Sequence, residues 1–163
     1  MLIGVVSDTH NNLKNIKQII SLFNKEEVSL VVHTGDITNA TSLKEFSNLN
    51  CELVGVYGNN DRNEVGLQAV AKRNNFNLQD PPNVIRLKNK IIAIFHEPDS
   101  IDDFLDKNQN IDIVFHGHTH RHRHEMKNNT LLFNPGESAG MFQGSNVIGV
   151  VDLNSLEIKR IFF

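Results

Sequence analysis

Val114-Phe115-His116-Gly117-His118-Thr119-His120 is the stretch that decides where the chemistry of this chain lies. The apolar run 111–115 is typical of a buried β-strand, and three histidines follow it within five residues. Open α/β sheets keep their ligand sites just beyond the carboxyl ends of strands. Because neutral imidazole is a common ligand for transition metals, the pattern favours a metal site over a turn with surface histidines.

Composition restricts the classes of protein to which the chain can belong. Its 163 residues, with 39% hydrophobic and 21% charged residues, predict one globular domain over 1–163. The net charge of -3 gives no basic footprint, so general nucleic-acid binding is not expected. The single cysteine, Cys51, cannot form an internal disulfide, which favours a cytoplasmic location. No apolar run approaches the roughly 20 residues of a membrane span, so no membrane association is expected.

The pattern of apolar residues changes near the middle of the chain. The first half predicts buried strands at 2–6, 30–32 and 53–57, alternating with helices at about 12–24, 43–49 and 64–75. Thr41 is the expected N-cap of the middle helix. After Pro81-Pro82, one helix near 101–105 and three hairpins are predicted, at 84–95, 122–133 and 147–162. These elements predict an α/β (α+β) fold with two mixed sheets packed face to face and helices outside.

Five predicted strands end in side chains that can bind metal ions. These residues are Asp8 and His10, Asp36, Asn59, His96, and finally His118 and His120. Each cluster taken alone is compatible with an ordinary turn, because Asp, Asn and Gly are common turn residues. Gly35 and Gly58 precede two of these residues and allow the backbone to turn where a side chain would obstruct the metals. Five such clusters at strand ends together predict one convergent metal site.

In this order, the motifs resemble the calcineurin-like metallophosphoesterases, and within them the small bacterial and archaeal phosphodiesterases. The family pattern stands here as Asp8-Thr9-His10, Gly35-Asp36, Gly58-Asn59-Asn60-Asp61, His96, and Gly117-His118-Thr119-His120. The resemblance covers residues 8–120, and Asn134-Pro135-Gly136 resembles the family's loop after the metal site.

The resemblance implies a four-layer αββα sandwich with a dinuclear centre. It assigns Asp8, His10, Asp36 and His120 to one metal, and Asp36, Asn59, His96 and His118 to the other. It also implies hydrolysis of phosphodiester bonds, in a small molecule or nucleotide, by a metal-bridging hydroxide. Of the divalent ions compatible with these ligands we expect Mn²⁺ or Ni²⁺, with Zn²⁺, Fe²⁺ and Co²⁺ as alternatives. A homodimer is the family expectation.

Three further positions carry expectations about catalysis. Asn60 stands where many relatives have a histidine that protonates the leaving group, and an amide can donate a hydrogen bond but cannot act as a general acid. Asp61 is expected to support catalysis by accepting a hydrogen bond from a ligand histidine. Glu97 follows the ligand and catalytic candidate His96 where relatives commonly have glycine, and is expected to disfavour highly anionic substrates. His33 and His116 are expected to be supporting residues.

Two other functions remain open at this point. The retromer complex contains a subunit of the same fold that serves as a protein-interaction scaffold, so a non-catalytic metal-binding scaffold is one alternative. A phosphomonoesterase or protein phosphatase is the other, and it differs only in the shape and charge of the pocket. All seven predicted ligand positions hold residues able to coordinate metal, which favours an enzyme over the scaffold.

Overall fold

The computed structural model of the chain describes residues 1–142 and 144–163. In this part of the chain there are four α-helices, α1 (Leu13–Lys25), α2 (Ala40–Glu45), α3 (Leu67–Arg73) and α4 (Ile101–Lys107). A 3₁₀ turn, Phe46–Asn48, extends α2. None of the described helices combines the length and the apolar character needed to cross a bilayer.

The strands form two mixed sheets. The first sheet has the order β11-β10-β1-β2-β3-β4, with β1 Leu2–Val6, β2 Leu30–His33, β3 Glu52–Val56, β4 Asn77–Gln79, β10 Val147–Asp152 and β11 Ile158–Phe162. Strands β1 to β4 are parallel, and β10 and β11 are added antiparallel. The second sheet has the order β5-β6-β7-β9-β8, with β5 Asn83–Leu87, β6 Lys90–Ile94, β7 Ile113–Phe115, β8 Arg123–Lys127 and β9 Thr130–Asn134. Its central strands β6, β7 and β9 are parallel, and both edge strands are antiparallel.

Three apolar clusters hold the layers together. Alternate residues of a strand point to opposite faces, and Val5 accordingly packs between the two sheets while Val6 packs under the helices. The cluster on the outer face of the first sheet is covered by α1 through Ile16, Ile19 and Phe23, among others. On the outer face of the second sheet, Ile101 of α4 packs in the third cluster. The layers are therefore helix, sheet, sheet and helix, and the predicted sandwich is confirmed.

Most predicted elements are present, with three corrections. The N-cap of α2 is Asn39, whose side chain accepts a hydrogen bond from Ser42 N at 2.8 Å; the expectation of Thr41 was wrong. Helix α3 begins at Leu67 rather than near 64, because Gly66 has a left-handed φ of 93°. Strand β4 was not predicted, because its three residues lie at the edge of the sheet, are mostly polar and show no alternation of buried and exposed side chains.

The fold brings the carboxyl ends of β1, β2, β3, β6 and β7 to one edge of the sandwich. Loops of the two sheets are hydrogen-bonded directly there: His96 donates from Nδ1 to the carbonyl of Thr34 at 2.9 Å. Across the same edge, His118 N donates to Asp8 Oδ2 at 3.1 Å. All the ligand-type clusters of the sequence therefore meet at one place.

Candidate metal centre

The seven predicted ligands form one continuous cluster. The ligand atoms of Asp8, His10 and His120 all lie within 4.8 Å of one another, and so do those of Asp8, Asp36 and His96. Asn59 joins the cluster with its Oδ1 2.9 Å from His96 Nε2 and 3.1 Å from His118 Nδ1. Carboxylate, imidazole and amide groups from five separate loops therefore face one small volume.

Several of these ligand atoms are buried without a hydrogen-bond partner in the described part of the chain. They are Asp8 Oδ1, His10 Nε2 and His120 Nδ1. Unpaired buried polar atoms are rare because each one costs desolvation free energy. A divalent cation would satisfy Asp8 Oδ1 and His10 Nε2, and the nitrogen of His120 that faces Asp8 Oδ1 is Nε2, at 3.7 Å. Mixed oxygen and nitrogen donors suit a transition metal. The residues present fit the metal ions that the sequence predicted.

The orientation of His96 is set by the loop after β2. Since a carbonyl can only accept, the His96 Nδ1 that contacts Thr34 carries a proton, and the lone pair of the neutral ring lies on Nε2. That Nε2 is 3.4 Å from Asp36 Oδ2 and 3.3 Å from His118 Nδ1. Burial lowers the pKa of His96, but the hydrogen bond and charge of Asp36 outweigh it and raise the pKa. A proton and a metal therefore compete for the same nitrogen.

The two carboxylates differ in their surroundings. Burial raises the pKa of Asp8 and outweighs the opposing hydrogen bond from Ser7 Oγ, which lies 2.6 Å from Oδ2. Burial also opposes the charged form of Asp36, but the hydrogen bond and charge of His96, when its Nε2 is protonated, and the hydrogen bonds from Asn60 outweigh it and lower the pKa. Asp36 is thus an anion, while the charge on Asp8 needs a nearby cation for its stabilisation.

Backbone conformation sets the direction of most ligands. Asp8, His10, Asp36, His118 and His120 all have φ between 45° and 67°, in the left-handed region. Such conformations cost about 1 kcal/mol or more for residues with a Cβ, and they concentrate at functional sites. Sequence patterns did not reveal this feature, because Asp and His, although enriched at positive φ, still adopt negative φ at most positions.

Close packing explains the glycines that precede the ligands. A Cβ on Gly58 would lie 2.1 Å from Asp36 Oδ1, and one on Gly35 would lie 2.7 Å from His96 Nδ1. From the sequence, a side chain at these positions is expected to obstruct the metals. The first obstruction would in fact be to the ligand side chains themselves.

Asp61 has a different role from the expected one. Its carboxylate accepts no hydrogen bond from a ligand histidine in the structure; it accepts backbone N–H groups of Asp36, Ile37, Thr38 and Gly58, at 2.7–2.9 Å. It is only 3% exposed. The expectation of a histidine partner was wrong because Asp61 turns towards the backbone of the β2 loop. Asp61 therefore positions the loops that carry Asp36 and Asn59.

Asn60 lies over the predicted shared carboxylate. Its Nδ2 donates to Asp36 Oδ2 at 2.8 Å and its backbone N donates to Asp36 Oδ1 at 3.0 Å. The residue is exposed, so the side chain can also turn to a group arriving from solvent.

Two further residues, Ser7 and Asn134, support the ligands and were not predicted from the sequence. Ser7 binds Asp8, as described above, and Asn134 Nδ2 donates to Gly117 O at 3.1 Å and to Thr119 Oγ1 at 3.2 Å. Asn134 therefore holds the loop that carries His118 and His120. The Asn134-Pro135-Gly136 motif was a signal for this loop but did not indicate the contact.

His33 is buried, and both of its ring nitrogens are engaged. Nε2 is 3.0 Å from Thr9 Oγ1, and Nδ1 accepts from Gly35 N at 3.1 Å. Burial lowers the pKa of His33 to about 3, so it is neutral. His116 is also buried and its pKa is lowered by burial to about 4, with Nδ1 3.2 Å from Gly117 O. These contacts agree with supporting roles for both residues.

Comparisons with known proteins agree with this geometry. Residues 1–156 match the calcineurin-like phosphoesterase superfamily domain. The chain is 36% identical over 163 residues to phosphodiesterase MJ0936 of Methanocaldococcus jannaschii, covering 99% of this chain and 98% of that protein. A solved archaeal phosphodiesterase superposes with a TM-score of 0.90 at 34% identity, covering 100% of both chains. Vps29 from Entamoeba histolytica shares the fold, with a TM-score of 0.71 at 18% identity over 100% of this chain and 99% of that one.

Proposed function

Since the chain belongs to the calcineurin-like phosphoesterase superfamily and is a phosphoric ester hydrolase that uses divalent metal ions, we propose that it is a dinuclear phosphodiesterase. Its substrate in this proposal is a small-molecule or nucleotide diester. The observation that carries the proposal is the cluster of seven ligand-type side chains with three buried atoms left unpaired. The phosphodiesterase named among its relatives supports the choice of substrate class.

We assign the ligands as the motif order suggests. Asp8, His10, Asp36 and His120 would hold one cation, and Asp36, Asn59, His96 and His118 the other. Bound divalent cations supply hydroxide at neutral pH by lowering the pKa of water, and they offset phosphoryl charge. We propose Mn²⁺ or Ni²⁺ as the bound ions. We also propose that residues 1–163 form a single domain and that the protein works in the cytoplasm.

The charges of the ligands favour an anionic substrate. Asp8 and Asp36 are the only carboxylates among the seven, and the other five ligands are neutral as metal ligands. Two divalent cations therefore leave the site positive, which attracts a phosphoryl group. The Thr34 carbonyl keeps His96 in the tautomer with its proton on Nδ1, so the lone pair on Nε2 is available to a cation.

Asn60 is the residue we propose to contact the reacting ester. Its Nδ2–H, which now donates to Asp36 Oδ2 at 2.8 Å, can turn to an oxygen of the substrate. It stabilises negative charge there but has no proton to give up at neutral pH. The leaving oxygen must then depart as a stable anion or take its proton from water, so esters with good leaving groups are the preferred substrates.

The test is hydrolysis of bis-p-nitrophenyl phosphate in metal-free buffer and with added Mn²⁺, Ni²⁺ or Zn²⁺. Asp36→Asn is the test variant, and Asp103→Asn, at an exposed position in the first turn of α4, is the matched control. We expect turnover that needs metal, is retained in Asp103→Asn and falls at least about 100-fold in Asp36→Asn. A folded, metal-binding protein that does not hydrolyse the diester would overturn the proposal and favour the scaffold.

A further inference from the structure

We propose that Glu97, whose charge is only partly offset by its ion pair with Arg62, makes the site select against phosphomonoesters. This inference rests on the proposed phosphodiesterase function. Arg62 Nη2 lies 3.6 Å from Glu97 Oε2, and the side chains are 57% and 38% exposed. The pair is therefore open to an arriving substrate.

The chain neighbours of the two residues place the pair beside the metal centre. Glu97 directly follows His96, whose Nε2 is 2.9 Å from Asn59 Oδ1. Arg62 directly follows Asp61, whose carboxylate is fixed by four backbone N–H groups. The pair thus bridges the loop after β3, in the first sheet, and the loop after β6, in the second, beside the proposed ligands of one cation.

The surroundings of Arg62 on this side are acidic. Arg62 lines a cavity of about 320 Å³ whose other charged lining residues, in the described part of the chain, are Asp61, Glu64 and Asp80. Glu97 is a further carboxylate near the guanidinium, at 3.6 Å. Arg62 therefore lies among carboxylates of this chain, and its ion pair with Glu97 leaves less of its charge to attract a phosphoryl oxygen.

The charge of the substrate gives the pair its effect. A phosphomonoester loses its second proton at a pH near 6, so at neutral pH it carries almost one negative charge more than a diester. The extra charge is repelled by the Glu97 carboxylate, and Arg62, already paired, offsets only part of that repulsion. Acting over several ångströms near water, one carboxylate changes the relative rates about three- to tenfold.

The experiment compares kcat/KM for p-nitrophenyl phosphate and bis-p-nitrophenyl phosphate, which share a leaving group, in the protein loaded with Mn²⁺. In Glu97→Gln the monoester-to-diester ratio is expected to rise about three- to tenfold, and the rise should shrink in 0.5 M salt because the charges are exposed. In Arg62→Ala, which leaves Glu97 unpaired, the ratio is expected to fall.

Glu26→Gln is the matched control. Glu26 is paired with Lys159 at 2.7 Å and lies at the end of α1 away from the metal centre. Provided that the unmodified protein is active, an unchanged monoester-to-diester ratio in Glu97→Gln would overturn the inference, and so would an equal rise of that ratio in Glu26→Gln. If the unmodified protein hydrolyses neither ester, the proposed function itself fails. That failure is seen in the unmodified protein alone, before any variant is compared with it.

Discussion

Replacing Asp61 by asparagine should separate the two loops that carry Asp36 and Asn59. In the structure Oδ2 of Asp61 accepts from Asp36 N and Gly58 N, and Oδ1 accepts from Ile37 N and Thr38 N. Asparagine keeps one acceptor oxygen and replaces the other by an NH₂ group. Whichever way the amide turns, two backbone N–H groups then face another donor.

The cost can be worked out from these contacts. Each buried N–H left without an acceptor costs about 1–3 kcal/mol, so two of them cost about 2–6 kcal/mol. Burial raises the pKa of Asp61, so removal of a buried charge recovers part of this cost. We expect a net loss of about 3 kcal/mol in the free energy of unfolding, a large share of the 5–15 kcal/mol of a typical domain.

The activity should fall together with stability. A displacement of about 1 Å at a catalytic centre can cost about 100-fold in rate, and Asp61 holds the backbone of Asp36 itself. The assays are urea unfolding in chelator, Mn²⁺ titration by calorimetry, and kcat/KM for the diester. Asp103→Asn, on the exposed face of α4, is the control and should lose less than about 1 kcal/mol.

An Asp61→Asn protein whose free energy of unfolding is within 1 kcal/mol of the control, and whose metal affinity and activity stay within about fivefold, would contradict this role of Asp61. Such a result would mean that the four N–H groups find other partners. A stable but inactive variant would contradict the energetic part alone and leave the positioning role in place.

Two further predictions concern metal and pH. Adding Mn²⁺ to the chelated protein should raise the free energy of unfolding, by about 2.7 kcal/mol for each bound cation at 100 times its Kd. Asp8→Asn should remove most of the gain from the cation it would hold, and no gain in the unmodified protein would contradict a built metal site. His33 has a pKa of about 3 when folded against 6.5 in the unfolded chain, so its contribution to stability is present above pH 6.5 and is lost as pH falls towards 3. Between pH 7.5 and pH 5.0, the free energy of unfolding measured with urea in chelator should fall by about 2 kcal/mol more in the unmodified protein than in His33→Gln. An equal fall in both proteins would refute this assignment.

Most of the fold could be predicted because the signals are local. Continuous apolar runs mark β1, β2 and β3 as strands buried on both faces. Helical spacing marks the buried face of α1, through Ile16, Ile19 and Phe23. The second sheet was predicted less fully: β9 pairs with β7 in parallel, and no local pattern states that β8 lies at the edge beyond β9. Strand partners depend on packing of the whole chain.

Ligand chemistry and strand periodicity belong to the residues and their spacing, so the residues that could bind metal, and their places after strand ends, can be read from the sequence alone. The groups that support them depend on the folded chain: Thr34 contacts His96, Asp61 accepts four backbone N–H groups, and Arg62 pairs with Glu97. These contacts join residues from different loops, 62 positions apart for Thr34 and His96. They form because two sheets stack with their strand ends at one edge, and that arrangement is fixed by burial of the shared core rather than by any local pattern.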